Sequence, residues 1–170
     1  RDQLGIKPSV FLFGFFGRFM PQKGFDLIIE AIAAMKKQLP HREFAVVAVG
    51  SGDYIGEYKA TIRREGLQAF FYFLPFQPMV HDLYPQVDVI VMPSRWEACP
   101  LLPMEVLCMG TPLIASNSIG TREVVADTPT ILIPTDNLEK LIETMVGCLK
   151  NVNRIAFDEF ALIARRRFDV

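Results

Sequence analysis

Two carboxylates and two cations are the residues of this sequence whose types and spacing can do chemistry. Glu97 and Glu105 stand eight residues apart in PSRWEACPLLPMEVLCMG, residues 93–110. Glu97 lies in a predicted loop just before a helix, where unpaired backbone N–H groups and the helix dipole favour an anion. Glu105 lies on that helix, about 12 Å further along if both residues were helical. Two acidic groups so spaced can grip opposite ends of an elongated polar ligand with a phosphate between them. Arg18 and Lys23 stand five residues apart in the turn from Gly17 to Gly24. An Arg fork beside a compact Lys charge, together with a helix N-terminus, suits a diphosphate. The plain alternative is an acidic first helical turn, a solvated Glu105 and two exposed turn cations.

The elements that must position these residues follow from periodicity. Val10 to Phe16 is apolar on both faces, as a central parallel strand covered by helices should be. Phe25 to Gln38 places Leu27, Ile28, Ala31, Ile32 and Met35 at the helical period. Phe44 to Val49 is a second strand, followed by the small loop Gly50-Ser51-Gly52, and a helix is expected from about Asp53 to Glu65. Further strands are expected at Ala69 to Leu74, Val87 to Met92, Pro112 to Ser116 and Thr130 to Ile133. Further helices are expected at Val80 to Tyr84, Leu101 to Met109, Arg122 to Ala126, Asn137 to Lys150 and Ile155 to Arg167. Pro100 and Pro103 fit a first helical turn, where a missing N–H costs little, and Gly110 with Pro112 ends that helix. This alternation predicts an α/β fold: a Rossmann-like open parallel sheet of about six strands with helices on both faces. In such sheets ligands bind at the carboxyl ends of the strands. Arg18, Lys23, Gly50, Gly52 and Glu97 all fall on loops at that edge, and Glu105 on the helix that follows one of them.

Composition narrows the class. The chain is long enough for one domain with a substantial core. Its 18 basic and 19 acidic residues give a net charge of −1, which offers no electrostatic footprint for nucleic acid. No apolar run approaches the ~18 residues of a membrane span. Cys99, Cys108 and Cys148 lack paired metal-ligand spacing and read as reduced thiols of a cytoplasmic protein, and with only two histidines a zinc site is not expected. Residues 1–9 read as a linker tail and 10–170 as the domain. The first residue is Arg1 rather than Met, which fits an excised piece of a longer protein.

Taken together, Gly17-Arg18 with Lys23-Gly24, Val49-Gly50-Ser51-Gly52, Asp88 to Ser94, Glu97 with Glu105, Gly110-Thr111-Pro112 and Ser116 to Glu123 form a pattern in fixed order. From about Val10 to Phe168 the chain resembles the C-terminal, nucleotide-sugar-binding domain of retaining glycosyltransferases with two facing Rossmann-like domains, the GT-B architecture. More narrowly it is similar to their family-four group. The resemblance implies that Arg18 and Lys23 bind the donor diphosphate and stabilise the charge growing on the departing nucleotide. It implies that Glu105 accepts the ribose hydroxyls, and that Glu97 meets the transferred sugar as an electrostatic rather than a nucleophilic group. The backbone at Ala98, Cys99, Leu101 and Leu102 would touch sugar and phosphates, and Phe76 and Gln77 would lie near the base. Gly17, Gly50 and Gly52 would let backbone approach the ligand. No cofactor and no metal are implied beyond the nucleoside-diphosphate sugar itself. The partner would be an N-terminal acceptor-binding domain, without which this half transfers nothing.

Three positions depart from the family pattern. Where a glycine-rich Glu-Gly-Phe-Gly is usual, this chain has Glu97-Ala98-Cys99-Pro100, and Pro100 has no amide to donate. Pro75 stands where glycine is common, and Ile119 replaces one glycine of a pair. A nucleotide-sugar epimerase half-domain shares the architecture, but the Glu pair and the Arg–Lys spacing argue against it. A non-catalytic Rossmann-like interaction module is the reading from a different class.

Overall fold

The computed structural model describes residues 1–168. Six strands, β1 (Phe11–Phe16), β2 (Phe44–Val49), β3 (Phe71–Leu74), β4 (Val89–Met92), β5 (Leu113–Ser116) and β6 (Ile131–Ile133), alternate with α1 (Phe25–Gln38), α2 (Ile55–Arg64), α3 (Leu101–Cys108), α4 (Thr121–Val124), α5 (Leu138–Lys150) and α6 (Arg154–Phe168). The strands form one parallel sheet in the order β3-β2-β1-β4-β5-β6. From β1 the chain builds outward to β3, then returns to lay β4 on the other side of β1. The two halves diverge between β1 and β4, which opens a crevice at the carboxyl ends of those strands.

The strand alternation sends side chains to two cores. Phe13, Phe15, Val46, Ala48, Val89 and Val91 pack beneath α1, α2 and α5. Leu12, Phe16, Val47, Ile90, Met92 and Leu113 pack on the opposite face beneath α3 and α6. Both faces of β1 and β4 are therefore dry, which explains why these strands read as unbroken apolar runs.

Several elements differ from the expectation, each for a local reason. The expected third strand starts at Phe71 because Gln68–Phe70 makes a 3₁₀ turn first. The short helix expected at Val80 to Tyr84 is a 3₁₀ segment, Val80–Gln86, with Pro85 inside it. The fourth strand starts at Val89 because Asp88 is otherwise engaged: its carboxylate accepts from the Leu12 amide and pairs with Arg1, both through Oδ2. Residues 1–9, expected as a linker tail, are packed onto the domain instead. Ile6 is buried in the core beneath α3 and α6, and the Arg1 guanidinium bonds the Val10 and Gln86 carbonyls as well as Asp88. Leu4 and Ile6, two apolar residues in a polar stretch, carried too little signal to foresee that.

The three thiols are unpaired, with Cys99 exposed and Cys108 and Cys148 buried. Burial pushes the Cys148 thiol up to about 11 and raises Cys108 as well, and the thiolate is the reactive form. Brief alkylation of the native chain at neutral pH should therefore label Cys99 alone. Mass spectrometry of the digested protein checks this, and rapid labelling of Cys148 would contradict the packing under α5. Among the described residues there is no cluster of three potential metal ligands, and no helix is long and apolar enough to cross a membrane.

Candidate functional site

The crevice edge is built by three loops locked together through their backbones. The Gly17 amide donates to the Val49 carbonyl, Phe19 to Ser51, and Gly50 to Leu74, so the loops after β1 and β2 run side by side. They border an open cavity of about 220 Å³. Gly17, Arg18, Gly50 and Ser51 form one wall of it, Phe76 and Gln77 a second, and Tyr84 with Leu102 a third. Arg18 is exposed, with no side-chain hydrogen bond or ion pair among the described residues. Gly52 lies behind this wall, where an added Cβ would meet the Phe19 carbonyl oxygen at 2.5 Å.

Lys23 ends a 3₁₀ turn, Pro21–Lys23, and Gly24 follows in the left-handed region. A Cβ on Gly24 would stand 2.2 Å from the Pro93 carbonyl oxygen, so only glycine lets the first loop approach the fourth strand this closely. That approach brings Lys23 Nζ to 2.7 Å from Glu97 Oε1, across 74 residues of sequence. Glu97 is 8% exposed and Lys23 25%. The Glu97 amide donates to Ile119, and Gly120 fits against the Glu97 carbonyl, so the loop after β5 seats this carboxylate. Glu97 does not cap α3: the cap position is Pro100, with no side-chain cap bond. Pro103 also lacks an N–H, which leaves the Leu101 and Leu102 amides as first-turn donors. Ala98, Cys99 and Leu101 are exposed. A smaller cavity of about 70 Å³ lies against Lys23, Glu97, Pro100 and Leu101. Phe16 and Leu102 line both cavities, so the two lie side by side.

Glu105 takes a different position from its sequence partner. It sits one turn beyond Leu102 on the same face of α3, and its Oε2 accepts from the Tyr84 hydroxyl at 2.5 Å. Glu105 lines a separate cavity, about 300 Å³, with His81, Cys108, Met109 and Arg165. Tyr84 joins it to the first cavity. Thus Lys23 touches Glu97, Arg18 shares a cavity with Gly17, Gly50, Phe76, Gln77 and Leu102, and Glu105 reaches that cavity through Tyr84.

Two contributors were not foreseen. Arg95, in the loop after β4, pairs with both oxygens of Asp26 at 3.0 and 2.6 Å and with Asp136 at 2.7 Å, and also bonds the Pro21 carbonyl. Its amide donates to Gln22, whose side chain donates to the Trp96 carbonyl. The bond to Asp26 raises the guanidinium further above its ordinary range. Arg95 therefore ties the Lys23 loop, the start of α1 and the loop after β6 to the Glu97 loop. The second is Ser94, buried beside the smaller cavity, whose hydroxyl has no partner among the described residues. A lone Arg and a Ser after a strand carry no local pattern from which either role is legible.

A doubly covered parallel sheet with charged loops at its switch point is a Rossmann-like, ligand-binding α/β architecture. The family described as glycosyl transferases group 1 matches residues 1–155, and the chain belongs to that family. It is 26% identical over 162 residues to the lipopolysaccharide core biosynthesis mannosyltransferase LpsB of Rhizobium meliloti, covering 92% of this chain and 46% of that protein. It also superposes on Anabaena Alr3699/HepE, solved in complex with UDP and glucose, with a TM-score of 0.86 and 26% identity over 99% of this chain and 47% of that one. The C-terminal domain of LpcC from Francisella tularensis shares the fold at a TM-score of 0.77 and 18% identity, covering 92% of this chain and 85% of that one. The chain spans about half the length of the first two relatives.

Proposed function

We propose that this chain is the donor-binding half of a retaining glycosyltransferase that moves a hexose-type sugar from a nucleoside diphosphate to an acceptor. The carrying observation is the Lys23–Glu97 pair at the β1/β4 switch point, beside a cavity walled by Arg18 and the Gly17 and Gly50 backbone. In this reading Arg18 and Lys23 hold the diphosphate and take up the negative charge that develops on it as the sugar leaves. The nearby Glu97 stabilises the positive, oxocarbenium-like fragment. The Leu101 and Leu102 amides at the α3 N-terminus supply further donors toward anionic oxygens. UDP is the first donor nucleotide to test, because the HepE structure contains it. The acceptor site belongs to an N-terminal domain of the same protein, so this half alone binds donor and transfers nothing. A cytoplasmic location fits the reduced thiols.

Thermal stabilisation by nucleoside diphosphates tests the reading. At a hundredfold excess of ligand over Kd, mass action adds about 2.7 kcal/mol. A rise in Tm is expected with at least one of UDP, GDP and ADP. No rise with any of them would leave a non-catalytic Rossmann-like module as the better account. In this mechanism the cationic side chains take the place of a divalent ion. Calorimetric affinity should therefore be the same with and without EDTA, and a tenfold loss, about 1.4 kcal/mol, would refute the metal-free mechanism.

A further inference from the structure

We infer that Tyr84 is the positioning residue for Glu105, fixing that carboxylate so that its second oxygen is presented to the ribose of the donor; this rests on the function proposed above.

Tyr84 is a buried phenol in the turn before β4, at 1% exposure, held edge-on against Phe16 with ring centroids 4.9 Å apart. Tyr84 lines the cavity of about 220 Å³ beside Arg18, whereas Glu105 lines the separate one of about 300 Å³. A phenol this enclosed needs an acceptor for its hydroxyl, and Glu105 Oε2 provides it. Burial first, and the neighbouring carboxylate second, push the phenol well above its ordinary range, so it stays protonated and donates. Oε2 is thereby engaged, while Oε1 has no hydrogen-bond partner among the described residues. Without the phenol the Glu105 side chain is only half-buried on the second turn of a helix and samples several rotamers. With it, one oxygen is fixed and the other is oriented before any ligand arrives, so less ordering entropy is lost on binding.

The test uses the 170-residue chain, UDP and inorganic pyrophosphate, the second having no ribose. Tyr84→Phe keeps the ring and removes the hydroxyl. It should weaken UDP about three- to tenfold, the span of one hydrogen bond, and leave pyrophosphate unchanged. In a Glu105→Ala background the same substitution should have no further effect on UDP, because the group it positions is gone. Undiminished UDP affinity in Tyr84→Phe overturns the inference. So does an equal loss for pyrophosphate, or a full loss that persists in the Glu105→Ala background, since either marks a general packing role. If the wild-type chain binds no nucleotide at all, the functional reading falls and this inference falls with it. Wild-type binding with an unaffected Tyr84→Phe removes this inference alone.

Discussion

Glu105→Ala is expected to weaken UDP by about ten- to a hundredfold, the loss that follows when a charged acceptor is removed from ligand hydroxyls. Every ligand containing a ribose should be weakened, and pyrophosphate should not. The structure adds a second consequence. Alanine also strands the hydroxyl of Tyr84, a residue only 1% exposed whose partner is Glu105. A buried donor left unpaired costs about 1–3 kcal/mol, so Tm should fall with affinity. Glu105→Gln separates the two effects. Its amide oxygen still accepts from Tyr84 and restores most of the Tm, while the lost charge keeps ribose binding weak. Calorimetry and melting curves on both variants check this. Wild-type UDP affinity in Glu105→Ala would place the ribose elsewhere and reduce Glu105 to a partner for Tyr84.

The sheet was legible in the sequence because each strand that is covered on both faces must be apolar throughout, and each helix must show one stripe. Leu27, Ile28, Ala31, Ile32 and Met35 recur at the helical period and are all buried under the sheet. Loop positions of the charged residues were legible too, since Gly17, Gly50 and Pro93 mark where strands end. Contacts between loops were not. Lys23 and Glu97 are 74 residues apart, and nothing in either segment encodes the partner. Their meeting depends on Gly24 approaching Pro93 and on Arg95 holding Asp26 and Asp136 together. The plain alternative of an acidic first helical turn is answered by geometry, because Pro100 occupies the cap and Glu97 lies ahead of it, outside the first turn of α3. Likewise Glu105 reads from sequence as a solvated helical residue or a ligand group, and only the fold brings Tyr84 to it.

These contacts also change what is expected of Glu97. The Glu97 carboxylate holds Lys23 at 2.7 Å, so Glu97 competes with a diphosphate for that cation. Glu97→Ala should then leave UDP affinity unchanged or slightly tighter, because Lys23 is released. The intact sugar nucleotide should lose affinity relative to UDP, since the group beside the sugar is gone. In the two-domain enzyme proposed above, the larger effect is expected in turnover. Stabilisation of a charge that exists only in the transition state raises kcat rather than binding, and removing a group of this kind costs on the order of a hundredfold or more. Stability should also fall, by about 1–3 kcal/mol at most, because Lys23 is only 25% exposed and loses its partner. Solvent reaching the ammonium keeps that figure toward its lower end. Glu97→Gln preserves the size of the side chain and a hydrogen-bond acceptor for Lys23, so it should recover stability without recovering turnover. The measurements are Tm, the UDP and UDP-sugar affinities, and kcat of the full-length enzyme for both variants. Equal losses for UDP and UDP-sugar that track the fall in Tm, with turnover restored in Glu97→Gln, would assign Glu97 the task of positioning Lys23 and nothing more.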